Sequence, residues 1–465
     1  MGSDRLRQQV RYALDPVVAA MGVCVGPRDR NDRVLRRDGL GLKPGRPQLE
    51  TCPLPMIPCH PPTLLFKIGG AQRDQITQVQ LLWANYARFR VELVEGDPMV
   101  QAVEGVVFPW LDPSRYSFAL GIEAGGATWL AGQTASRHDP ASGRVASGGS
   151  AAEQAGICWD KIGAVLNAAG RDIEECTEVV EYVTAEGLDV RDEIAGARPT
   201  SCAASTMVVD ALVRPDAIVE VEVVAGGPPR QVRLPQLLPI DSDGSVVASG
   251  DLVGQCEWVL EEAGRRLGEF DLGLEHVVRT VQQTTPATRR DYRATAEARR
   301  RLLGPAFPAS TGVLTSQLPH PDVLVALDVW ASAAPKEIVP HAEDAYASLT
   351  FSPATVADSV VYISGTTAWD PTTGGTIGKG DVGMQAEFVY DQIRQVLEAA
   401  GGGIDDLVKT IEYVTPDALP NYRDVNTVRE NVLGRPFPAS TGVAINALLS
   451  RDWLIEVEAV AVLNP

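Results

Sequence analysis

Phe307-Pro-Ala-Ser-Thr-Gly-Val313 recurs unchanged as Phe437-Pro-Ala-Ser-Thr-Gly-Val443, 130 residues further along a 465-residue chain. Internal repetition of this kind determines the whole architecture. The register persists well outside the heptapeptide. Gln255 aligns with Gln385, Leu267 with Leu397, Thr280 with Thr410, Thr285 with Thr415, Tyr292-Arg293 with Tyr422-Arg423, and Gly304 with Gly434. A third copy lies 231 residues before the last, aligning Asp139-Pro140 with Asp370-Pro371, Gln154 with Gln385 and Leu166 with Leu397. Glu181-Tyr-Val-Thr184 matches Glu412-Tyr-Val-Thr415, after which the first copy is about five residues shorter. The expected boundaries are 1–115 for an N-terminal extension, then 116–226, 227–338 and 339–465 for the three copies. Gly226-Gly227-Pro228-Pro229 and Ala334-Pro335 serve as breakers at the junctions.

Within the last copy the pattern reads strand, strand, helix, strand, helix, strand. Ser348–Ser352 and Val360–Ser364 are expected as strands, with a turn from Asp370-Pro371 to Gly375. From Val382 to Ala400, the residues Val389, Ile393, Val396, Leu397 and Ala400 recur at helical spacing on one face. Leu407–Val414 is a β-branched strand and Tyr422–Val432 a second helix. Ala444–Leu448 and Trp453–Val462 complete the sheet, with Ile455, Val457, Ala459 and Ala461 sharing a face. Helices on one side leave the other face of each sheet uncovered, and an apolar face needs a partner. Three such sheets in one chain can bury those faces against each other, which predicts a pseudo-threefold, barrel-like core.

Composition narrows the partners. With 45% hydrophobic and 22% charged residues the chain is globular. No apolar run is long enough for a bilayer, so no membrane partner is expected. A formal charge of -19 repels a phosphate backbone, so nucleic acid is not expected either. Seven cysteines show no CxxC spacing, which fits a reducing cytoplasm. Arg5, Arg7 and Arg11 precede an apolar stretch that Asp15 and Pro16 interrupt, a poor secretion signal.

Arg435-Pro-Phe-Pro-Ala-Ser-Thr-Gly-Val443, then Leu448 and Trp453-Leu-Ile-Glu-Val-Glu-Ala-Val-Ala-Val462, resembles the closing signature of the Rid (reactive intermediate deaminase) family. Val361-Tyr-Ile-Ser-Gly365, the helix near Gln385 and Ile411-Glu-Tyr-Val-Thr415 resemble it in the same order. The resemblance covers nearly all of the last copy, most of the first and the back two thirds of the middle one. It implies an α+β fold of three tandem Rid-like (chorismate-mutase-like) domains, each a mixed sheet with two helices on one face. Family members are usually homotrimers with ligand clefts between subunits, so the resemblance implies a monomer built as an intramolecular pseudo-trimer; the sequence leaves further dimerisation open. No cofactor is implied.

The departures from the family pattern bear on function. Its deaminases place an arginine directly after Pro-Ala, where it grips a substrate carboxylate bidentately. Here that position holds Ser440, Ser310 and Ala204 in the third, second and first copies. The family's acidic residue in the last strand, which positions water, corresponds to Glu456 and Glu220, with Ala326 in the degenerate middle copy. These two carboxylates are the catalytic candidates. The plain alternative is a solvent-facing side chain on a half-buried strand. Ser310-Thr311 and Ser440-Thr441 are candidate ligand donors, or hydroxyls that cap their own turn. His138, beside Arg137 and Asp139, is the candidate general acid or base among the five histidines, and otherwise an exposed loop residue. Trp369 is placed to stack on an aromatic ligand or simply to pack, and Arg137 to bind substrate.

Other motifs carry less. Cys202 sits at the proline position of the signature without a nucleophile's surroundings. Cys52, Cys59 and His60 lack a fourth zinc ligand, so no metal site is expected. Gly39-Leu-Gly41 follows no strand, so a dinucleotide fingerprint fails. A helix is expected around Gln75–Arg90. The leading functional expectation is a small-molecule enzyme of specialised metabolism, doing acid-base chemistry (cyclisation, condensation or dehydration) on a reactive enamine, imine or dicarbonyl. The chorismatases, hydrolases with Rid-like folds, indicate that such a fold tolerates other chemistries. Hydrolytic deamination is the alternative, and a non-catalytic binding module the third reading.

Overall fold

A computed structural model of the protein describes residues 100–111, 115–139, 141–228 and 230–463, together with the strands Cys24–Val25, Leu64–Ile68 and Val91–Glu95. The chain divides into two units, Met1–Pro98 and Met99–Pro465. In the first, Leu64–Ile68 pairs antiparallel with Cys24–Val25 and parallel with Val91–Glu95. The expected helix at Gln75–Arg90, and Cys52, Cys59 and His60, lie outside the described residues.

The second unit holds three mixed sheets with a common plan. In each, a central eight-residue strand pairs parallel on one side and antiparallel on the other. Leu407–Val414 lies parallel to Ala439–Ala444 and antiparallel to Ile455–Val462, which in turn pairs with Val360–Thr367. Val277–Thr284 lies in the same way between Ala309–Leu314 and Ala326–Ser332, and the latter pairs with Gln231–Leu237. Cys176–Val183 lies between Ser205–Val208 and Val219–Gly226, and the latter pairs with Ala127–Leu130.

Each sheet is covered by one long helix, Ala151–Ala168, Leu252–Leu267 or Val382–Ala399, and capping chemistry starts all three. Ser150 and Glu153 form a capping box, while the side chains of Asp251 and Asp381 accept from the first turn. A buried glutamine then ties each helix to the loop before its last strand. Gln385 accepts from Leu454 N at 2.7 Å and donates to Asp452 O at 2.8 Å. Gln255 does the same with Leu324 N at 2.7 Å and Asp322 O at 3.0 Å, and Gln154 accepts from Ile218 N at 3.1 Å. The recurrence of Gln in the sequence therefore reflects a repeated satisfaction of loop backbone groups that would otherwise be buried without partners.

The faces away from the helices do bury each other. With the sheets numbered in chain order, one apolar cluster draws Trp129 and Tyr182 from the first sheet, Val281 and Trp330 from the second, and Tyr362, Ile411 and Tyr413 from the third. Charges are enclosed in it as pairs. Lys409 Nζ lies 3.1 Å from Glu222, Arg279 pairs with Glu458, and Arg233 lies 3.2 Å from Asp328. The first two pairs each join two sheets, so Glu222 and Glu458 act as buried fasteners, while Arg233 and Asp328 pair within one sheet.

Three expectations need correction. The core is not a closed barrel: the described sheets remain open and meet through isolated bridges, among them Ala119 with Ala439 and Ala309 with Ser352. Pro308 and Pro438 stand where the ladders would have to continue, and they accept from Ser352 N and Ala119 N but have no N–H to give back. Ser348–Ser352 is not a strand either. The hairpin of the third sheet is Ala354–Ala357 with Val360–Thr367, because positive φ at Asp358 and Ser359 makes the turn there. The parallel edge strand is Ala439–Ala444 rather than Ala444–Leu448. Among the described residues, no helix is long and apolar enough to cross a membrane.

Candidate functional site

Strand Ile455–Val462 carries the carboxylate of the site. Its register sets Glu456 opposite Tyr413 on one side and Thr367 on the other. The glutamate is 4% exposed, so it is not the solvent-facing side chain that alternation alone would allow. A ladder irregularity between Ile363 and Thr366 brings Gly365 against it, where a Cβ would collide with Glu456 Oε1. Glycine is required there by close approach. Burial pushes the Glu456 carboxyl up to about 8, with a hydrogen bond from the Gly312 backbone pulling the other way.

Glu220 repeats the arrangement. It stands opposite Tyr182, is 6% exposed, and would collide with a Cβ at Gly132. Burial and the neighbouring Glu222 push it up to about 8, against the pull of Lys409 and Lys161. The corresponding register position in the second sheet, opposite Gln283, is Ala326, which has no acid to offer.

Glu456 lines a cavity of about 790 Å³ between the second and third sheets. Ser310 and Trp369 line it too, so three sequence candidates meet there. Tyr346 sets its ring edge-on to both Trp369 and Phe351, giving one wall an aromatic character. Ser310 Oγ accepts from Thr280 Oγ1 at 3.0 Å, and its backbone N–H donates to Ser364 Oγ at 2.8 Å. Thr311 is buried, and its hydroxyl accepts from Gly365 N at 3.1 Å. Thr441 accepts from Gly132 N at 3.0 Å in the matching place, so both threonines are already engaged in holding a glycine. Ser440 is buried and accepts from Thr410 Oγ1 at 3.0 Å and Arg429 Nη1 at 2.9 Å.

Arg137 and His138 are not brought to this cavity. They are exposed on the two-stranded ribbon Arg137–Asp139 with Arg144–Ala146. Cys202 is buried beside Ile173 O. Among the described residues no cluster of His, Cys, Asp or Glu is arranged to hold a metal ion.

Sequence reasoning missed the arginines. Arg289, Arg293 and Arg299 line the cavity, against Glu456 as its one carboxylate among the described side chains. Arg429, aligned with Arg299, is buried and pairs with Glu412 at 3.0 Å. Lys161 beside Glu220 was missed as well. It is buried, donates to Thr134 O at 2.8 Å and lies over the Phe108 ring.

Residues 342–463 match the family model described as Endoribonuclease L-PSP. A RutC family protein of Pyrococcus horikoshii is 32% identical over 133 residues, which is 29% of this chain and 94% of that relative. RidA from an Antarctic Psychrobacter species, a solved structure, is 30% identical, covering 27% of this chain and 99% of its own, with a TM-score of 0.25. A chorismatase structure at 15% identity covers 62% of this chain and 93% of its own, with a TM-score of 0.43.

Proposed function

The chain belongs to the RutC family, and on that footing we propose that it is a cofactor-independent enzyme in which Glu456 moves a proton on a reactive imine, enamine or dicarbonyl held in the cleft between the second and third sheets. The observation that carries this reading is a buried carboxyl, raised to about 8, on the wall of a cavity of about 790 Å³. Near neutral pH such a group keeps its proton and can donate it to an imine nitrogen or an enamine carbon, then take one back, as general acid catalysis requires. The three sheets are three diverged copies of one Rid-like domain in this reading. Divergence leaves one productive cleft: the second sheet lacks the acid, and Glu220 faces Lys161 and Lys409.

The transformation is a cyclisation, condensation or dehydration, which a cleft without the family's arginine at Ser310 accommodates. RNA is disfavoured as a substrate by the charge of -19. The test supplies imines and enamines generated in place from amino acids and compares wild type, Glu456→Gln and Glu220→Gln. Consumption that falls by about 10²-fold or more in Glu456→Gln alone supports the reading. Ammonia release in step with consumption would make the reaction hydrolytic deamination instead. No consumption by any form would leave a binding module.

A further inference from the structure

Resting on that reading of the cleft, we propose that Arg299 is the carboxylate anchor of the site, replacing the arginine the family signature lacks here, and that the ligand is a carboxylate with a flat aromatic or unsaturated body. One exchange between aligned positions sets this arginine apart. In the third sheet, Arg429 is neutralised by Glu412, which also accepts from Tyr390 and Tyr422. Arg429 Nη1 also donates to Ser440 at 2.9 Å, and its Nε donates to Ser117 at 3.0 Å. In the first sheet, Arg198 is likewise paired, to Glu181 at 2.9 Å.

The second sheet breaks the pattern. The residue aligned with Glu412 and Glu181 is Gln282, an amide that carries no charge. Arg299 therefore has no carboxylate within ion-pair distance among the described residues. It is held in place by neutral groups: Nε donates to Thr350 Oγ1 at 2.9 Å, Nη1 to Thr295 Oγ1 at 2.6 Å and to Gln282 Oε1 at 3.5 Å, and the guanidinium lies 5.1 Å from the Tyr292 ring centroid. Nη2 makes no hydrogen bond among the described residues. An oriented, half-buried guanidinium with a spare donor on a cavity wall is suited to an anion, and a carboxylate matches its planar fork. Arg289 and Arg293 add positive charge to the same wall, in a protein that is acidic as a whole. Trp369, Tyr346 and Phe351 provide the aromatic surface for the body of the ligand.

The test is binding, measured by calorimetry on the full chain with cinnamate and its neutral amide, cinnamamide. Wild type should prefer cinnamate by about tenfold or more, the worth of a hydrogen-bonded charge pair. Arg299→Gln should remove that preference. Gln282→Glu should remove it too while leaving the arginine in place, because it installs the pair already present at Arg429 and Glu412. A Glu456→Gln variant should still bind cinnamate, so loss of turnover there and loss of the anchor are separable. Equal binding of acid and amide by wild type, no cinnamate binding at millimolar concentration, or an undiminished preference in Gln282→Glu overturns the anchor and leaves the proton-transfer reading untouched.

Discussion

Glu456 Oε1 occupies the space where a side chain on Gly365 would begin. The absence of a Cβ thus sets the position of a buried acid, and the same relationship holds between Glu220 and Gly132. Gly365→Ala should displace the Glu456 carboxyl and press the added methyl against Thr311, with the fold retained. Misplacing a reacting group by about 1 Å costs about 10²-fold in rate, so turnover in Gly365→Ala should fall by that order while Gly132→Ala stays near wild type. Steady-state kinetics on both variants check this, and the opposite ranking would move the working acid to Glu220.

Turnover should depend on pH through Glu456 itself. Its carboxyl holds the proton up to about 8 because burial disfavours the charged form. A group acting as proton donor is competent below that value, so kcat should be level from neutral pH and decline as pH rises through about 8. Glu456→Gln should abolish the decline along with most of the rate. A rate that climbs through the same pH would make Glu456 a base.

The buried pair of Arg279 and Glu458 joins the second sheet to the third. Removing one partner leaves a charge enclosed without compensation, at about 3–5 kcal/mol. Arg279→Met should therefore lower stability in urea unfolding by that amount, and Arg279→Met with Glu458→Leu should recover most of it. A single variant as stable as wild type would show that water reaches the pair.

The common plan of the three sheets was legible because buried polar groups with fixed partners, such as Gln154, Gln255 and Gln385, leave identical letters in register. Helix Val382–Ala399 and strand Leu407–Val414 were legible through their spacing, as their observed bounds show. The open sheets were not, because whether an edge closes depends on single prolines such as Pro308 and Pro438. Glu456 was found by the resemblance, but its burial was hidden: alternation in Ile455–Val462 does not say that both faces of the strand are covered. Arg299 was missed although its signal was present. The 130-residue offset that aligns Tyr292 with Tyr422 also aligns Gln282 with Glu412 and Arg299 with Arg429. A lost carboxylate beside a kept arginine becomes meaningful only when the two are seen to touch. His138 illustrates the converse, a residue type suited to catalysis on an exposed ribbon away from the cavity.

The most direct test of a single working cleft is a crystal structure of the full chain soaked with phenylpyruvate, a stable aromatic keto acid. Ligand density is expected in the cavity between Glu456, Trp369 and Arg299, with the carboxylate at the guanidinium and the keto carbon toward Glu456. Density only beside Glu220 and Ser440, or no density at any of the three sheet junctions, would contradict it.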